Sequence, residues 1–298
     1  MSDAQGTGGD RVPVAKTFKH FVGGAFVRSE GGKVLRCETP DGQLFGHVPR
    51  GTRKDLRDAV LKARAAQAGW AGKSAMLRSQ ILYRFAEMLE DRAEVFARNL
   101  ATATGTSAER AAAEVRGAVE RAFWYAGWCD KFGPVLGSVN PVASSHFNFT
   151  VPEPVGVVVV AAPRGAPLLG CVSAALPALV PGNSVLVLVD GPAPSVGLDL
   201  GEVAATCDLP AGVLNILSGK REEMLPTAAG HRDVDALASY GDTAEERAAV
   251  EEAAADNLKR LHLADDHELD GWLDAERCSP WAIAPFIEWK TAWHPVGT

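Results

Sequence analysis

Pro154-Val155-Gly156-Val157-Val158-Val159-Val160-Ala161-Ala162-Pro163 decides the fold, because it is the longest apolar run in the chain and it stops at strand length. A bilayer span needs about 18 such residues, so no membrane-crossing segment is expected. Near-continuous Val and Ala, rather than alternation, mark a strand covered on both faces, as in a parallel sheet. Downstream, runs of the same kind return over 184–189, 212–217, 234–239 and 258–263. Helical composition or spacing fills 168–180, 195–207, 222–230 and 243–257. Strands alternating with helices predict the α/β class: a Rossmann-like, doubly wound parallel sheet with helices on both faces.

Upstream the period changes. Leu56, Val60, Ala63 and Gln67 repeat at helical spacing behind Thr52, a cap with Asp55 three residues on. Ser74 opens a second helix striped by Leu77, Ile81, Phe85, Met88 and Leu89, and two more are predicted over 92–104 and 107–132. Before them, residues 21–46 read as short strands and turns around Gly23-Gly24 and Asp41-Gly42. Residues 1–17 read as a disordered tail without the apolar stretch of a secretory leader.

Two further segments stand apart from the alternating pattern. Phe147, Phe149 and Val151 alternate with His146, Asn148 and Thr150, which predicts a strand with one dry face. After residue 263 the pattern stops, and 264–280 reads as an acidic linker carrying Asp265, Asp266, Glu268, Asp270, Asp274 and Glu276. Residues 281–296 then read as extended and aromatic, with Ile287, Trp289 and Thr291 alternating with Glu288, Lys290 and Ala292. An exposed aromatic strand is a pairing hazard unless something covers it. It either packs back on its own domain or docks on another subunit.

The 298 residues carry a formal charge of −7 and are 47% hydrophobic, the balance of a folded globular chain. Nucleic acid is not an expected partner, since that affinity rests on Lys and Arg against phosphate. The five cysteines Cys37, Cys129, Cys171, Cys207 and Cys278 lie far apart with no CxxC pair. That predicts reduced thiols, a cytoplasmic setting and no metal site.

Several stretches, in order, resemble the aldehyde dehydrogenase superfamily. They are Phe21-Val22-Gly23-Gly24, Tyr125-Ala126-Gly127-Trp128 before Lys131, and Glu153-Pro154-Val155-Gly156-Val157. Leu176-Pro177-Ala178-Leu179 with Gly182-Asn183, Pro210-Ala211-Gly212-Val213-Leu214-Asn215 with Gly219, and Asp233-Val234-Asp235 follow. Asn257-Leu258-Lys259-Arg260 and the aromatic stretch 286–293 complete the set. The resemblance implies a dinucleotide-binding-type domain over 18–135 and 152–263, with a helical N-terminal part and a Rossmann layer. It implies a small β oligomerisation arm from 136–151 and 281–298. In the family a catalytic domain lies between the last Rossmann strand and the arm's tail. Here the linker 264–280 takes that interval, too short to bury a core of its own.

Family chemistry needs a thiolate, an oxyanion donor, a general base and a bound nicotinamide coenzyme. Cys278, in Glu276-Arg277-Cys278-Ser279-Pro280, lacks the family's nucleophile context, and Cys171 sits among apolar neighbours. The family's oxyanion Asn, in Pro-Trp-Asn-Phe-Pro, is matched by Gly165 in Pro163-Arg164-Gly165-Ala166-Pro167. The general-base Glu is matched by Ala264, with Asp265 and Asp266 beside it. The ribose-gripping Lys and Glu are matched by Leu188 and Gly191. The pyrophosphate loop reads Ser239-Tyr240-Gly241-Asp242-Thr243, in which Gly241 and Thr243 keep the turn and helix cap. Asp242 is expected to occupy the anion site of the following helix N-terminus itself, and the loop's second Gly becomes Glu246. The resemblance therefore implies no bound cofactor, NAD or NADP included.

The leading expectation is a non-catalytic, pseudoenzyme subunit that assembles as a hetero-oligomer with a full-length aldehyde dehydrogenase and stabilises or regulates it. Phe147, Phe149, Phe286, Ile287, Trp289, Thr291 and Trp293 would form its interface, the tail strand adding to a partner's sheet edge. The alternatives are a weak NAD(P)-dependent aldehyde oxidoreductase using Cys278 or a partner's site, and a small-molecule-binding regulatory module using Arg164 and Tyr240 in the vacant cleft.

Overall fold

The structure, a computed structural model, describes residues 15–297. The chain opens with five short strands: β1 (Lys16–Thr17), β2 (His20–Val22), β3 (Ala25–Val27), β4 (Val34–Glu38) and β5 (Leu44–Pro49). Helices α1 (Arg53–Ala71), α2 (Ala75–Asp91), α3 (Ala93–Thr104), α4 (Ala108–Ala126) and α5 (Phe132–Leu136) follow, then strands β6 (Ser138–Asn140) and β7 (His146–Pro154). The alternating region comprises β8 (Val157–Ala161), α6 (Leu169–Leu179), β9 (Ser184–Val189), α7 (Pro194–Ala204), β10 (Leu214–Ser218), α8 (Arg221–Gly230), β11 (Ala236–Tyr240), α9 (Ala244–Ala254) and β12 (Arg260–Ala264). A short helix α10 (Leu269–Leu273) and the long strand β13 (Ile287–Pro295) come last.

The strands of the alternating region form the expected parallel sheet, in the order β12-β11-β8-β9-β10, and the hairpin β2-β3 extends it antiparallel beyond β10. Alternate residues feed two separate cores. Val158, Val160, Val185 and Val187 pack with α2, α3, α4, α6 and α7 on one face. Val159, Ala161, Leu186 and Leu188 pack with α1, α8 and α9 on the other. Burial on both faces explains why these strands are continuous in Val and Leu, each such side chain contributing about 1.5–3 kcal/mol. The Thr52 cap is a complete capping box, Asp55 reaching back to the Thr52 amide at 2.9 Å.

Four boundaries differ from the sequence reading. Lys16 and Thr17, placed in the disordered tail 1–17, pair in parallel with Gly46 and His47; residues 1–14 of that tail lie outside the described residues. The helix expected over 107–132 ends at Ala126, where the Gly127 amide bonds back to the Phe123 and Tyr125 carbonyls. Residues 280–286, read as the last linker residue and the start of the extended stretch 281–296, wind into a 3-10 helix that begins and nearly ends at a proline. The linker 264–280 is folded: Ala264 closes β12, and Leu269 and Trp272 of α10 are buried in the main core. Among the described residues no helix is long and apolar enough to cross a membrane.

β13, β7 and β6 form a separate three-stranded antiparallel arm. β13 pairs with β7 over its whole length, Ile287 opposite Pro154 through Pro295 opposite His146, so the tail packs on its own chain. Asn183 fixes the arm to the sheet: its Oδ1 accepts from the Gly156 amide at 2.8 Å, and its Nδ2 donates to Ala178 and Phe286 carbonyls at 2.8 and 2.9 Å.

His20, on β2, is buried, and its Nδ1 accepts from the Ser218 amide at 3.2 Å. Burial pushes its pKa down to about 4, against the Asp55 charge, which raises it. The imidazole is thus neutral in the fold, while in the unfolded chain it takes a proton near pH 6.5. As pH falls from 6.5 to 4 the unfolded state binds the extra proton, and stability drops by up to about 3 kcal/mol. Urea unfolding at pH 7.5 and 4.5 should show this loss shrinking in His20→Gln, which keeps an acceptor for Ser218 but does not titrate.

Candidate functional site

In an open α/β sheet, ligands bind at the carboxyl ends of the strands where the strand order reverses. Here the chain runs from β8 outward to β9 and β10, then returns to lay β11 against the other side of β8. The crevice therefore lies between the carboxyl ends of β8 and β11. The turn 163–167, the end of β9 at Val189-Asp190, the loop Gly241-Asp242 and residues 265–268 after β12 converge there.

The first residue of α8 fills that crevice. Arg221 exposes only 2% of its side chain and bridges two carboxylates, Asp190 Oδ1 and Asp242 Oδ1, each at 3.1 Å. Its guanidinium also donates to the Ala162 and Tyr240 carbonyls, both at 2.6 Å, so it satisfies the ends of β8 and β11 together. Asp242, whose side chain is 0% exposed, accepts a second bond from Ser239 Oγ at 2.7 Å; its other oxygen has no protein partner. Arg164 adds a second cation, bonded to Asp190 and 3.8 Å from Glu246. Its hydrogen bond to Asp190, aided by the charges of Asp190, Glu246 and Asp242 and opposed by burial, raises the guanidinium pKa further.

This geometry corrects the expected role of Asp242. The N-terminus of α9 is satisfied by Thr243 and Glu246, which exchange bonds in a capping box, and Asp242 turns inward to Arg221 instead. Arg221 was the residue missed. Its signal was available: a basic residue opening the helix after β10 must face the sheet's carboxyl edge. Gly241 and Thr243 do hold the turn and the cap, Gly241 at φ +71°.

The other expected positions are accounted for one by one. Gly165 lies under the chain after β12, and a Cβ there would meet the His267 carbonyl oxygen at 2.1 Å; no longer side chain fits. Asp266 reaches that turn, its Oδ2 accepting from the Arg164 and Gly165 amides at 2.6 and 2.9 Å. Burial raises the Asp266 pKa, but bonds from Trp272, Gly165, Arg164 and His267 outweigh it and leave the carboxyl below its ordinary value. Asp265 faces solvent, 3.6 Å from Arg247. Ala264 ends β12 opposite Tyr240. Leu188 is buried in the second core. Gly191 has φ +78°, and a Cβ there would press on the Arg164 side chain at 3.0 Å. Arg164 and Tyr240 are not free to receive a ligand: the first is paired, and the second packs edge-on against Trp272 and His262 at 5.8 and 5.9 Å.

Burial pushes the thiols of Cys171 and Cys129 up to about 12 and those of Cys37 and Cys207 to about 11. All four stay protonated at neutral pH. Cys278 closes a 3-10 turn, its amide bonded to the Ala275 carbonyl at 3.0 Å, and is half-buried. Outside the ion pairs a cleft of about 580 Å³ remains, bordered by Thr106, Arg110, Glu114, Arg164 and Glu268. Glu114 on that border is anchored by one oxygen, which accepts from the Leu168 and Leu169 amides at 2.7 and 3.2 Å; burial raises its pKa against those bonds.

On the arm, Phe286 and Ile287 are buried in the chain's own core, which removes them from the expected interface. Thr291 bonds Thr150 across the strand pair at 2.8 Å. Phe149 is half-buried and stacks on Phe147 with ring centres 5.5 Å apart. Trp289, Trp293 and Phe147 remain 49%, 59% and 46% exposed. By register, the two tryptophans lie on one face of the arm and Phe147 on the other.

Comparison with known proteins adds the family. Residues 26–265 match the sequence model of the aldehyde dehydrogenase family. The chain is 31% identical over 245 residues to an aldehyde dehydrogenase of Aspergillus niger, covering 82% of this chain and 49% of that protein. It is 32% identical over 258 residues to the mitochondrial benzaldehyde dehydrogenase of Antirrhinum majus, covering 85% and 48%. Its fold superposes on the crystal structure of an aldehyde dehydrogenase from Brucella melitensis biovar abortus with a TM-score of 0.78 at 26% identity, covering 83% of this chain and 50% of that one. The chain thus spans about half the length of the relatives it matches.

Replacing Arg221 with Met should cost about 3–5 kcal/mol in urea unfolding, because Asp242 is left buried without its cation and Asp190 keeps only Arg164. Adding Asp242→Asn to that variant should recover part of the loss. Equal stability of the single variant and wild type would show that the pair network contributes nothing.

Proposed function

The chain belongs to the aldehyde dehydrogenase family, and from that premise we propose that it acts as a non-catalytic subunit, assembling in the cytosol with a full-length family member that it stabilises or regulates. The observation that carries the proposal is the crevice: where the family resemblance places a coenzyme, this chain has its own arginines and carboxylates paired with one another. A dinucleotide's diphosphate is an anion, and the donor set does not suit it. Asp190, Asp242 and Glu246 present carboxylates there, both cations are engaged, and the position matched to the ribose-binding Lys is the buried Leu188. Gly165 offers no side-chain amide for an oxyanion, and the four buried thiols are held protonated.

The arm supports assembly. Trp289, Trp293, Phe147, Val139 and Val151 leave large apolar surface exposed on both faces of three strands, and exposed aromatics of this density mark interaction surfaces. Between β12 and β13 only residues 265–286 intervene, and among the described residues that interval holds no sheet against which an identical copy's arm could lie. That favours a partner that does have one, and the family resemblance supplies a full-length aldehyde dehydrogenase.

Co-expression with an aldehyde dehydrogenase from the same genome should give a complex that co-elutes in gel filtration, and Trp289→Ser with Trp293→Ser should abolish it. Two species that never co-elute would refute the assembly. The purified chain with NAD or NADP and a panel of aldehydes should give no reduced coenzyme above a buffer blank and no rise in melting temperature. Turnover lost in Cys278→Ser would instead establish an enzyme.

A further inference from the structure

Residues 265–280 have the composition of a solvated acidic linker, yet they are tied to the body of the protein at two points. The first tie is Asp266. Its Oδ2 accepts from the Arg164 and Gly165 amides, and its Oδ1 accepts from the His267 amide at 2.7 Å and Trp272 Nε1 at 2.9 Å. One carboxylate thereby joins the turn after β8 to the indole that opens the next layer. The second tie is Arg121 on α4, which is buried. Its Nη2 donates to the Trp272 and Asp274 carbonyls at 3.0 and 3.4 Å, and its Nη1 to the Arg277 carbonyl and Ser173 Oγ at 3.3 and 3.2 Å. Among the described residues Arg121 has no carboxylate partner. Three of its four acceptors belong to the segment itself. If the segment left, a buried guanidinium would lose most of its hydrogen bonds, a cost larger than that of any neutral donor.

Apolar contacts agree with the polar ones. Leu269 and Trp272 are buried between α4 and α6, and the Arg277 guanidinium lies 5.0 Å from the Trp272 ring centre. Three glycines on three different elements leave the space that the segment needs. A Cβ on Gly165 would strike the His267 carbonyl oxygen at 2.1 Å, one on Gly117 would strike Leu273 at 2.7 Å, and one on Gly241 would strike Asp266 Cβ at 2.7 Å. A segment that merely hung across the surface would not need room made for it in α4, in the turn after β8 and in the loop after β11.

We propose that residues 265–280 are a built-in lid, latched by Asp266 and Arg121, which shuts the α4–α6 face against solvent and ligands. The lid is a property of this chain alone and stands whether or not a partner subunit exists. It makes closure the resting state, since opening exposes Trp272 and Leu269 and strips Arg121 at once. Access to that face requires the segment to move as a unit.

Hydrogen exchange followed by mass spectrometry on the full chain tests the lid. In wild type, the amides of His267, Trp272, Glu276, Arg277 and Cys278 should exchange slowly, since each is bonded within the segment. Gly165→Ala forces a methyl against the His267 carbonyl without touching Arg121. It should speed exchange across 267–278 by about tenfold or more while β8 and β9 stay protected. Arg121→Met should do the same, and the Gly165 variant and wild type keep the test decisive if Arg121→Met does not fold. Wild-type exchange across 267–278 at the rate of an unstructured peptide, or exchange unchanged in Gly165→Ala, would overturn the lid.

Discussion

Arg221 carries a full positive charge into the carboxyl edge of the central sheet with 2% of its side chain exposed, and the arrangement of that whole edge follows from the need to satisfy it. A buried guanidinium is tolerated only when its fork is filled and its charge is balanced. Two strand-end carbonyls, from β8 and β11, fill part of the fork. Asp190 and Asp242, from the ends of β9 and β11, balance it. Asp190 then holds Arg164, whose own position is set by the turn 163–167. Anion and cation positions that a Rossmann-type edge ordinarily offers to a ligand are here committed to one another. Rigidity comes at the expense of receptivity: a diphosphate entering this crevice would have to displace paired carboxylates.

The sheet was legible in the sequence because its physics is local to each strand. A strand buried on both faces is apolar at nearly every position, as Val157–Ala161 is throughout and Ser184–Val189 is after its first residue. Helix caps are local too, so Thr52 and Thr243 could be read with their partners three residues on. The ion-pair network was only half legible. That the loop Gly241-Asp242 carries a carboxylate is plain from the residues, but its partner comes from the start of α8. Which strand ends adjoin is a fact of topology, and it decides that Arg221, not a helix N-terminus, neutralises Asp242.

The segment after β12 was misread for a related reason. Six acidic residues among small and polar ones give the composition of a solvated linker, and composition averages over the few side chains that matter. Leu269 and Trp272 sit four and seven residues beyond Asp265, too short a stretch to show a period. Arg121 lies beside the apolar stripe of α4 and reads as an ordinary surface charge until the carbonyls it holds are known. Glycine supplied the clue that sequence could not interpret: Gly117, Gly165 and Gly241 are each explained by what lies opposite, and opposite residues are remote in the chain.

The arm contrasts with the crevice in what it leaves undone. Asn183 and the buried pair Phe286 and Ile287 set the direction in which β13 leaves the core, so the arm is held firmly at its base. Beyond Ile287 the strand's backbone is paired on one side with β7, while among the described residues its other edge has no partner strand and most of its side chains stay exposed. Trp289 sends its indole N–H to the Leu136 carbonyl at 3.0 Å, and Trp293 packs edge-on to His146 at 5.9 Å. Those contacts hold the rings in place without burying them. Pre-positioned aromatics lose little side-chain entropy on association, and this is the physical condition under which an exposed strand becomes a specific contact instead of an aggregation site. The same chain thus pairs its charges at the carboxyl edge of the sheet and leaves its aromatics exposed on the arm.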